Sequence, residues 1–313
     1  MDRLVTLFGG GGFLGRYVAQ ELLKTGARVR IAERDPSDAF FLKPLSSLGQ
    51  IQFVTADITK PESVARAVQG TQAVVNLVGI LVGDFQRIHV EGAANVARAA
   101  AAAGAEALVQ VSAIGADARS PSAYGRSKAL GEQAVRTAFP NAAILRPSII
   151  FGPEDNFVNR FAAMIERLPA VPVIRSQARF QPAWVADVAR AVALAALEPG
   201  THAGRTYELG GPETIDMGGL NRWIAGAIGR KPRLLPVPDA AAGALARFAG
   251  WLPGAPISWD QWQMLQSDSV VSPGAPGFAA FGIAPKPLAA VAPAWLVRYR
   301  RQGRFSLNSN AGT

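Results

Sequence analysis

The sequence contains no cysteine and only two histidines, His89 and His202, among its 313 residues. Disulfide bonds, thiol nucleophiles and zinc sites of cysteine and histidine are therefore excluded, and no metal site is expected. No Gly-x-Ser-x-Gly sequence occurs, which argues against a serine hydrolase of the α/β class. The two histidines are expected to be ordinary polar residues rather than ligands.

Long apolar runs are also missing. No stretch reaches the roughly 18 uninterrupted apolar residues of a membrane span, so the sequence predicts no transmembrane helix. The polar start Met1-Asp2-Arg3 leads directly into a strand pattern, so no secretory signal is expected and the protein is expected not to be secreted. Hydrophobic residues make up 49% and charged residues 18%, which predicts a globular chain with a large core.

Lysine is scarce, since only six of the 32 basic residues are Lys, and the formal net charge is +9. An excess of arginine suits phosphate groups, acidic lipid headgroups or an acidic partner subunit, because the guanidinium group pairs bidentately with oxyanions. A gene rich in G and C would favour arginine equally. The charge alone therefore does not decide between these interpretations.

Short β-rich runs alternate with helical stretches in the first half of the chain. The pattern predicts strands at Leu4–Phe8, Arg28–Ala32, Gln52–Thr55, Ala73–Leu77, Ala107–Val111 and Ala143–Leu145, and helices near Phe13–Lys24, Pro61–Val68, Val90–Ala103 and Ser122–Ala138. This order predicts an α/β fold, namely a Rossmann-type doubly wound parallel sheet with a smaller, mixed C-terminal domain.

The predicted domain bounds follow from where this alternation weakens. Residues 1–210 form the predicted Rossmann domain, with an excursion at about 153–178, residues 211–305 the smaller domain and 306–313 a tail. Within the smaller domain Leu245, Phe248 and Leu252 recur at helical spacing, which favours a core-facing helix over one that docks on a partner or membrane. The basic stretch 298–305 is either a solvated surface or a binding surface for lipid headgroups or for a neighbouring subunit.

Four consecutive glycines follow the first predicted strand, in the sequence "FGGGGFLGR". The loop fits Gly-x-x-Gly-x-x-Gly or Gly-x-Gly-x-x-Gly, and both place bare backbone and a helix N-terminus under a pyrophosphate. Because the loop joins a strand to an amphipathic helix in a βαβ series, it predicts dinucleotide binding rather than a structural turn. The predicted contacts are Gly9, Gly10, Gly12, Phe13, Leu14 and Gly15.

The end of the second strand bears on which dinucleotide binds. An acidic residue there suits the ribose 2′-hydroxyl of NAD, whereas arginine suits the 2′-phosphate of NADP. Glu33 and Arg34 are adjacent, and Arg16 follows the glycine loop. Two arginines against one glutamate favour NADPH.

Further cofactor contacts are expected where later strands end. Asp57 in "FVTADIT" either accepts a hydrogen bond from the adenine amino group or caps a turn. Ile58 follows it, and Asn76 and Gly79 in "VVNLVG" are expected near the nicotinamide. Pro147 ends the sixth predicted strand.

A possible catalytic set is formed by Ser112, Tyr124 and Lys128. Residues four apart share a helix face, so the Lys128 ammonium is expected beside the Tyr124 phenol, whose unperturbed pKa of about 10 needs a nearby cation for proton transfer near neutrality. Ser112, at a strand end, would polarise a substrate carbonyl or hydroxyl. All three are also expected to contact the cofactor.

The motifs "FGGGGFLGR", "NLVG", "VSAIGAD", "YGRSK" and "ILRPSIIFGPED" together resemble the short-chain dehydrogenase/reductase superfamily in its extended or atypical branch. The resemblance implies a Rossmann fold, a nicotinamide cofactor, and Ser112, Tyr124 and Lys128 in the roles above. The sequence departs from the pattern of the extended members at residues 89–93, where it has His-Val-Glu-Gly-Ala and they commonly have Asn-Val-x-Gly-Thr.

A narrower resemblance covers almost the whole chain. "FLKPLSSLGQI", "AVRTAFPNAAILRPSIIFGPEDNFVNRFAAM" and "QPAWVADVARAV" resemble the NADPH-binding accessory subunits of respiratory complex I, in a bacterial form. That resemblance implies a structural NADPH, complex I subunits of the peripheral arm and membrane interface as partners, and a peripheral place on the cytoplasmic side of the inner membrane. Anionic lipid headgroups are a further candidate partner, and nucleic acid is not expected.

Three functions remain open at this point. The favoured one is a binding and assembly subunit in which NADPH stabilises the fold. The second is a free NADP(H)-dependent reductase, epimerase or dehydratase that uses Tyr124 for proton transfer. The third, a regulator that senses NADP redox state, rests on net charge and fold analogy alone.

Overall fold

The computed structural model describes residues 3–250, 252, 257–301 and 303. The chain forms two compact units: unit 1 comprises Met1–Ser148, Val185–Gly210 and Val271–Pro285, and unit 2 comprises Ile149–Trp184, Gly211–Val270 and Lys286–Thr313. The sequence places the excursion at about 153–178 and the main boundary after residue 210. Those domain bounds stay a prediction about which segments fold together, and the predicted tail, 306–313, lies outside the described residues.

Strands and helices alternate through the first half of the chain. They are β1 (Leu4–Phe8), α1 (Phe13–Lys24), β2 (Arg28–Glu33), β3 (Ile51–Thr55), α2 (Pro61–Ala67), β4 (Ala73–Asn76), α3 (Ala93–Ala102), β5 (Ala107–Val111), α4 (Ala123–Ala138) and β6 (Ala143–Pro147). A 3-10 helix spans Pro36–Leu45, and a π-helical stretch spans Gln86–Gly92.

The remaining elements are shorter. In chain order they are β7 (Ile150–Phe151), α5 (Val158–Arg167), β8 (Ala170–Ile174), β9 (Arg179–Phe180), β10 (Ala183–Trp184), α6 (Val185–Leu197), α7 (Pro199–His202), β11 (Thr206–Leu209), β12 (Ile215–Asp216), α8 (Met217–Ala227), β13 (Arg233–Val237), α9 (Asp239–Ala249), α10 (Trp259–Met264), α11 (Leu288–Val291) and α12 (Pro293–Leu296). Further 3-10 turns span Phe278–Phe281 and Val297–Tyr299.

Unit 1 is built on a parallel sheet of seven strands, counted over the described residues, in the order β11-β6-β5-β4-β1-β2-β3. Helix α1 packs on α6, and α3 packs between α2 and α4. All five residues of β1 and all five of β5 are buried, as a strand covered on both faces requires. The strand order reverses between β1 and β4, and such a switch point opens a crevice at the carboxyl ends of the strands.

The α/β fold predicted from the sequence is confirmed. The six predicted strands and four predicted helices all form, with most ends within a residue or two, although the third long helix begins at Ala93 after a π-helical stretch that the sequence pattern does not reveal. Strand β11 was not predicted, because "TYEL" is only four residues long and two glycines follow it. It nevertheless forms the seventh strand, beside β6.

Unit 2 contains three small two-stranded sheets, β10-β7, β12-β9 and β13-β8, within its described residues. Its core includes Phe151, Trp184 and Trp295, whose rings lie within 5.5 to 6.4 Å of one another. Two arginines of the basic stretch 298–305 bind unit 2 itself. Arg298 donates to Asn159 Oδ1 (2.8 Å), and Arg300 donates to the Ala227 carbonyl (3.0 Å). Residues 302, 304 and 305 lie outside the described part.

Helix α9 does not face a core in the way that the sequence favours. Leu245 is 40% exposed, Phe248 75% and Leu252, just beyond the helix, 45%. The buried side is formed by Ala242 and Ala246, because a small helix face allows close packing against α10. In the part of the chain that the structure describes, no helix is long and apolar enough to cross a membrane.

Candidate functional site

The glycine loop forms the turn from β1 into α1. Gly9 has a φ of 82°, in the left-handed region that favours glycine. A Cβ atom at position 15 would lie 2.1 Å from the Gly9 carbonyl oxygen, so the helix can approach the loop this closely only without a side chain. Gly12 precedes the helix and supplies no side-chain cap, while Phe13 and Leu14 begin the first turn. The first-turn N–H groups of α1 have no acceptor within the helix, so the start of this helix fits a pyrophosphate.

Glu33 and Arg16 both lie at this loop. The Glu33 carboxylate accepts a hydrogen bond from the Gly11 N–H (2.6 Å). Burial raises the pKa of Glu33 above its ordinary value, although the Gly11 N–H and Arg34 oppose this. The Arg16 guanidinium lies over the Phe41 ring, 4.7 Å from its centroid, and Arg34 is exposed. Acidic and basic groups thus meet where the ribose of a dinucleotide would lie.

Asp57 forms a turn, which is one of its two predicted roles. Its Oδ1 atom accepts from the backbone N–H (2.9 Å) and the hydroxyl (2.8 Å) of Thr59. Burial opposes ionisation of Asp57, but these bonds, with Lys60 and Arg87 nearby, lower its pKa. Ile58 is buried, and Asn95 donates to its carbonyl oxygen (2.9 Å). The adenine contact stays a prediction.

Asn76 is buried and binds within the protein. Its amide donates to Gln110 Oε1 (2.9 Å), and its Oδ1 accepts from the Val78 N–H (3.1 Å). Asn76 thereby joins the ends of β4 and β5 and shapes the following turn. That turn leads to Gly79, where a Cβ atom would lie only 3.4 Å from Lys128 Nζ.

The predicted catalytic residues Ser112, Tyr124 and Lys128 converge near this turn. Ser122 caps α4 by accepting from the Gly125 N–H (3.2 Å), which places Tyr124 in its first turn. Lys128 Nζ lies 5.9 Å from the Tyr124 ring centroid and donates to the carbonyl of Val111 (3.2 Å), the residue before Ser112.

Ser112 presents a buried hydroxyl at the end of β5. Its Oγ has no hydrogen-bond partner among the described residues, while its backbone N–H donates to the Leu145 carbonyl (2.7 Å). Pro147 is buried at the end of β6, and its carbonyl accepts from the Ile114 N–H (3.0 Å). A buried hydroxyl that lacks a partner costs free energy, so a polar ligand group at Ser112 fits this site.

Burial controls the protonation of the tyrosine and the lysine. It raises the pKa of Tyr124 to about 12. It also lowers the pKa of Lys128 to about 8, against the opposing charge of Glu132. Lys128 Nζ donates to the Val111 carbonyl, and activation of the Tyr124 phenol by Lys128 stays a prediction.

His89, expected from the sequence to be an ordinary polar residue, is a component of this site. Its Nε2 accepts from the Ile80 N–H (2.9 Å), so Nδ1 carries the proton and donates to Ser127 Oγ (2.8 Å). Ser127 in turn donates to the Tyr124 carbonyl (2.8 Å). Burial, together with the charge of Lys128, lowers the pKa of His89 to about 3, so the ring is neutral at pH 7.

The signal for His89 was its position where extended relatives have asparagine. In the structure, the imidazole at this position makes two hydrogen bonds, with the Ile80 N–H and with Ser127 Oγ. Its ring also stacks on Phe85, with centroids 5.3 Å apart. Over the described residues, no group of three or more His, Asp or Glu could hold a metal ion.

Comparison with known proteins decides the family. Residues 5–210 match the model of the NAD dependent epimerase/dehydratase family. The chain belongs to this family. The matched region includes the glycine loop and the Ser112, Tyr124 and Lys128 cluster.

Two curated relatives match much of the chain. NADH dehydrogenase (ubiquinone) 1 alpha subcomplex subunit 9, mitochondrial, of Rattus norvegicus is 35% identical over 293 residues, which cover 91% of this chain and 77% of that protein. Ceramide reductase of Caulobacter vibrioides is 33% identical over 258 residues, 77% of each. Both a complex I subunit and a reductase are thus homologous to this chain.

A solved structure supports the fold. NADPH-dependent quinone oxidoreductase QOR2 of Escherichia coli, complexed with NADPH, aligns with a TM-score of 0.77 over 93% of this chain and 99% of that one. The sequence identity is 22%. At that identity, the similarity establishes the α/β architecture alone.

Proposed function

We propose that this protein is an accessory subunit of respiratory complex I that holds NADPH as a structural cofactor. One observation carries the proposal: the similarity to the complex I subunit extends over 91% of the chain, well beyond residues 5–210 of the family match. The similarity to ceramide reductase covers a smaller share of the chain, 77%. Partners are then complex I subunits of the peripheral arm and the membrane interface, on the cytoplasmic side of the inner membrane.

The residues of unit 1 fit NADPH. The N-terminus of α1 behind the glycine loop would face the pyrophosphate, Arg16 and Arg34 would hold the 2′-phosphate, and the Ser112 hydroxyl has no hydrogen-bond partner among the described residues. Bound NADPH can supply a hydride, but in this role its binding stabilises the folded chain by mass action.

The surface of unit 2 supports an assembly role. Leu245, Phe248 and Leu252 form an exposed apolar row along and just beyond α9, with Arg247 among them. An apolar surface of this kind suits a partner subunit, and its basic neighbour also suits anionic lipid headgroups.

Gentle fractionation of native membranes tests this function. The proposed subunit would co-migrate with NADH-oxidising activity in a large assembly after solubilisation. Migration as a small free species, with the NADH-oxidising assembly intact elsewhere in the same gradient, would refute it. The intact assembly serves as the internal control, because it shows that solubilisation did not dissociate complex I.

A second candidate is a free NADP(H)-dependent reductase of the short-chain type. It is favoured by the convergence of Ser112, Tyr124 and Lys128 and by the relative named ceramide reductase. In such an enzyme, Tyr124 would give a proton to the substrate oxygen while Lys128 stabilises the phenolate.

The variant Tyr124→Phe separates the two candidates. In the subunit, respiratory NADH oxidation would stay unchanged, because the phenol transfers no proton. In the reductase, turnover with NADPH would fall by about 100-fold or more, since general acid catalysis contributes about 10² to 10⁴. The measurements are membrane NADH oxidation, and NADPH consumption with carbonyl substrates by the purified chain.

A further inference from the structure

The 3-10 helix Pro36–Leu45 lies beside the glycine loop. Ala39 and Leu42 are buried and anchor the segment, and a Cβ atom at position 11 would meet the Asp38 carbonyl oxygen at 3.3 Å. The Asp35 side chain accepts from the Ser37 N–H (2.9 Å) and fixes the start of the segment. The segment is therefore anchored in the fold next to the end of β2, and we call it the loop wall.

Two neighbouring aromatic residues of the loop wall each contact a different cationic side chain through the ring face. The Arg16 guanidinium lies 4.7 Å from the Phe41 centroid. Lys43 Nζ lies 3.5 Å from the Phe40 centroid, and the Phe40 ring also packs edge-on against Phe53. Phe41 is 44% exposed and Phe40 42%, so the two rings have similar access to solvent but different partners.

The position of Arg16 matters because of the charge opposite it. Glu33 accepts from the Gly11 N–H, so a carboxylate lies at the loop where the adenine ribose of a dinucleotide would lie. A 2′-phosphate beside the Glu33 carboxylate would be repelled by it, so a cation held in place nearby favours binding of the phosphate. A free arginine side chain loses roughly 2 kcal/mol of rotamer entropy when it is fixed, and stacking on a ring lowers that cost at binding.

We propose that Phe41 determines nucleotide specificity by holding the Arg16 guanidinium in place for the 2′-phosphate that distinguishes NADP(H) from NAD(H). This inference rests on the proposed function, since it concerns the same NADPH site. Phe41 is a positioning residue: it acts through Arg16, and NADH, which lacks the phosphate, gains nothing from it.

The test is the ratio of NADH to NADPH dissociation constants, measured on the full-length chain after removal of bound nucleotide. In the Phe41→Leu variant this ratio falls about two- to fivefold, the size of an exposed cation–π contact, while NADH binding is unchanged. Phe40→Leu is the matched control and leaves the ratio as in the wild type. With Arg16→Gln already present, Phe41→Leu causes no further change.

Three results would overturn the inference. The first is equal weakening of NADPH and NADH by Phe41→Leu, which indicates a purely structural role. The second is a fall in the ratio of the NADH to NADPH dissociation constants with Phe40→Leu that equals the fall with Phe41→Leu. The third is a fall in this ratio when Phe41→Leu is added to a chain that already carries Arg16→Gln. A wild-type chain that binds NADPH no more tightly than NADH refutes the NADPH assignment of the proposed function itself, and the inference with it.

Discussion

At the scale of single residues, the candidate site depends on side chains that bind one another. His89 is neutral, buried and hydrogen-bonded on both sides, between the Ile80 N–H and Ser127. Through Ser127 it supports the carbonyl of Tyr124, and through Ile80 it supports the turn beside Gly79. Burial thus shifts the pKa of both Tyr124 and Lys128, while His89 supports the backbone on either side of them through Ile80 and Ser127.

His89 predicts a pH dependence of folding. Because burial lowers its pKa to about 3, against about 6.5 in an unfolded chain, the unfolded state binds more protons between these values. This contribution to stability is present above pH 6.5 and is lost as the pH falls toward 3. In urea unfolding between pH 6.5 and 3, the free energy of unfolding of the wild type should fall by up to about 1.4 kcal/mol per pH unit more than that of His89→Phe. Parallel pH curves for the two proteins would contradict the buried, neutral assignment.

The same variant predicts an effect on binding. His89→Phe leaves the Ile80 N–H without its acceptor, which costs about 1 to 3 kcal/mol of unfolding free energy and loosens the turn beside Lys128. NADPH affinity should fall. His202→Phe is the matched control, because His202 is also buried and hydrogen-bonded, to the Tyr207 hydroxyl (2.8 Å), but is not among the site residues. Equal NADPH affinities of the two variants would argue against the role of His89.

At the scale of elements, the strand-to-helix turn and the helix α9 carry the proposed function. The turn places α1 against the loop backbone at Gly15, and α9 presents large apolar side chains while its small ones are buried. The first arrangement follows from the glycine pattern. The second could not be read from the helical spacing of Leu245, Phe248 and Leu252, because periodicity identifies an apolar face without showing what covers it.

Gly15→Ala tests the turn. The new Cβ atom would lie 2.1 Å from the Gly9 carbonyl oxygen, so the turn has to open, and we expect loss of NADPH binding and destabilisation of about 3 kcal/mol or more. Gly226→Ala in α8 is the control, since no atom lies within 4 Å of its added Cβ. It should stabilise the chain by about 0.5 to 1 kcal/mol. Thermal unfolding and nucleotide titration measure both, and retained binding in Gly15→Ala would refute this account of the loop.

Phe248→Ser tests the surface of α9. Because Phe248 is 75% exposed, the melting temperature of the purified chain should change little, whereas co-migration with the NADH-oxidising assembly should be lost or weakened. Leu168→Ser, at an apolar side chain that is 44% exposed elsewhere in unit 2, should leave co-migration intact. If both variants behave like the wild type, α9 is not the contact surface.

For the whole molecule, the sequence predicted the parallel sheet well, because the alternation of strands and helices is set by local hydrophobic periodicity and by glycines that end the helices. It also placed the candidate residues at the carboxyl ends of neighbouring strands, which meet at one edge of the sheet, and their roles in the site stay a prediction. It could not predict β11, the hydrogen bonds of His89 or the Phe41 contact, because these depend on residues far apart in the chain. Nor could it predict that burial would raise the pKa of Tyr124.

The central claim is that NADPH is a structural ligand of a complex I subunit. Its most direct test is to purify the tagged chain from gently solubilised native membranes and quantify NADPH per chain before and after many turnovers of NADH oxidation. The tagged chain should carry NADH-oxidising activity with it, and about one NADPH per chain should persist unchanged. A chain that elutes without that activity, or whose NADPH is oxidised during turnover, would contradict it.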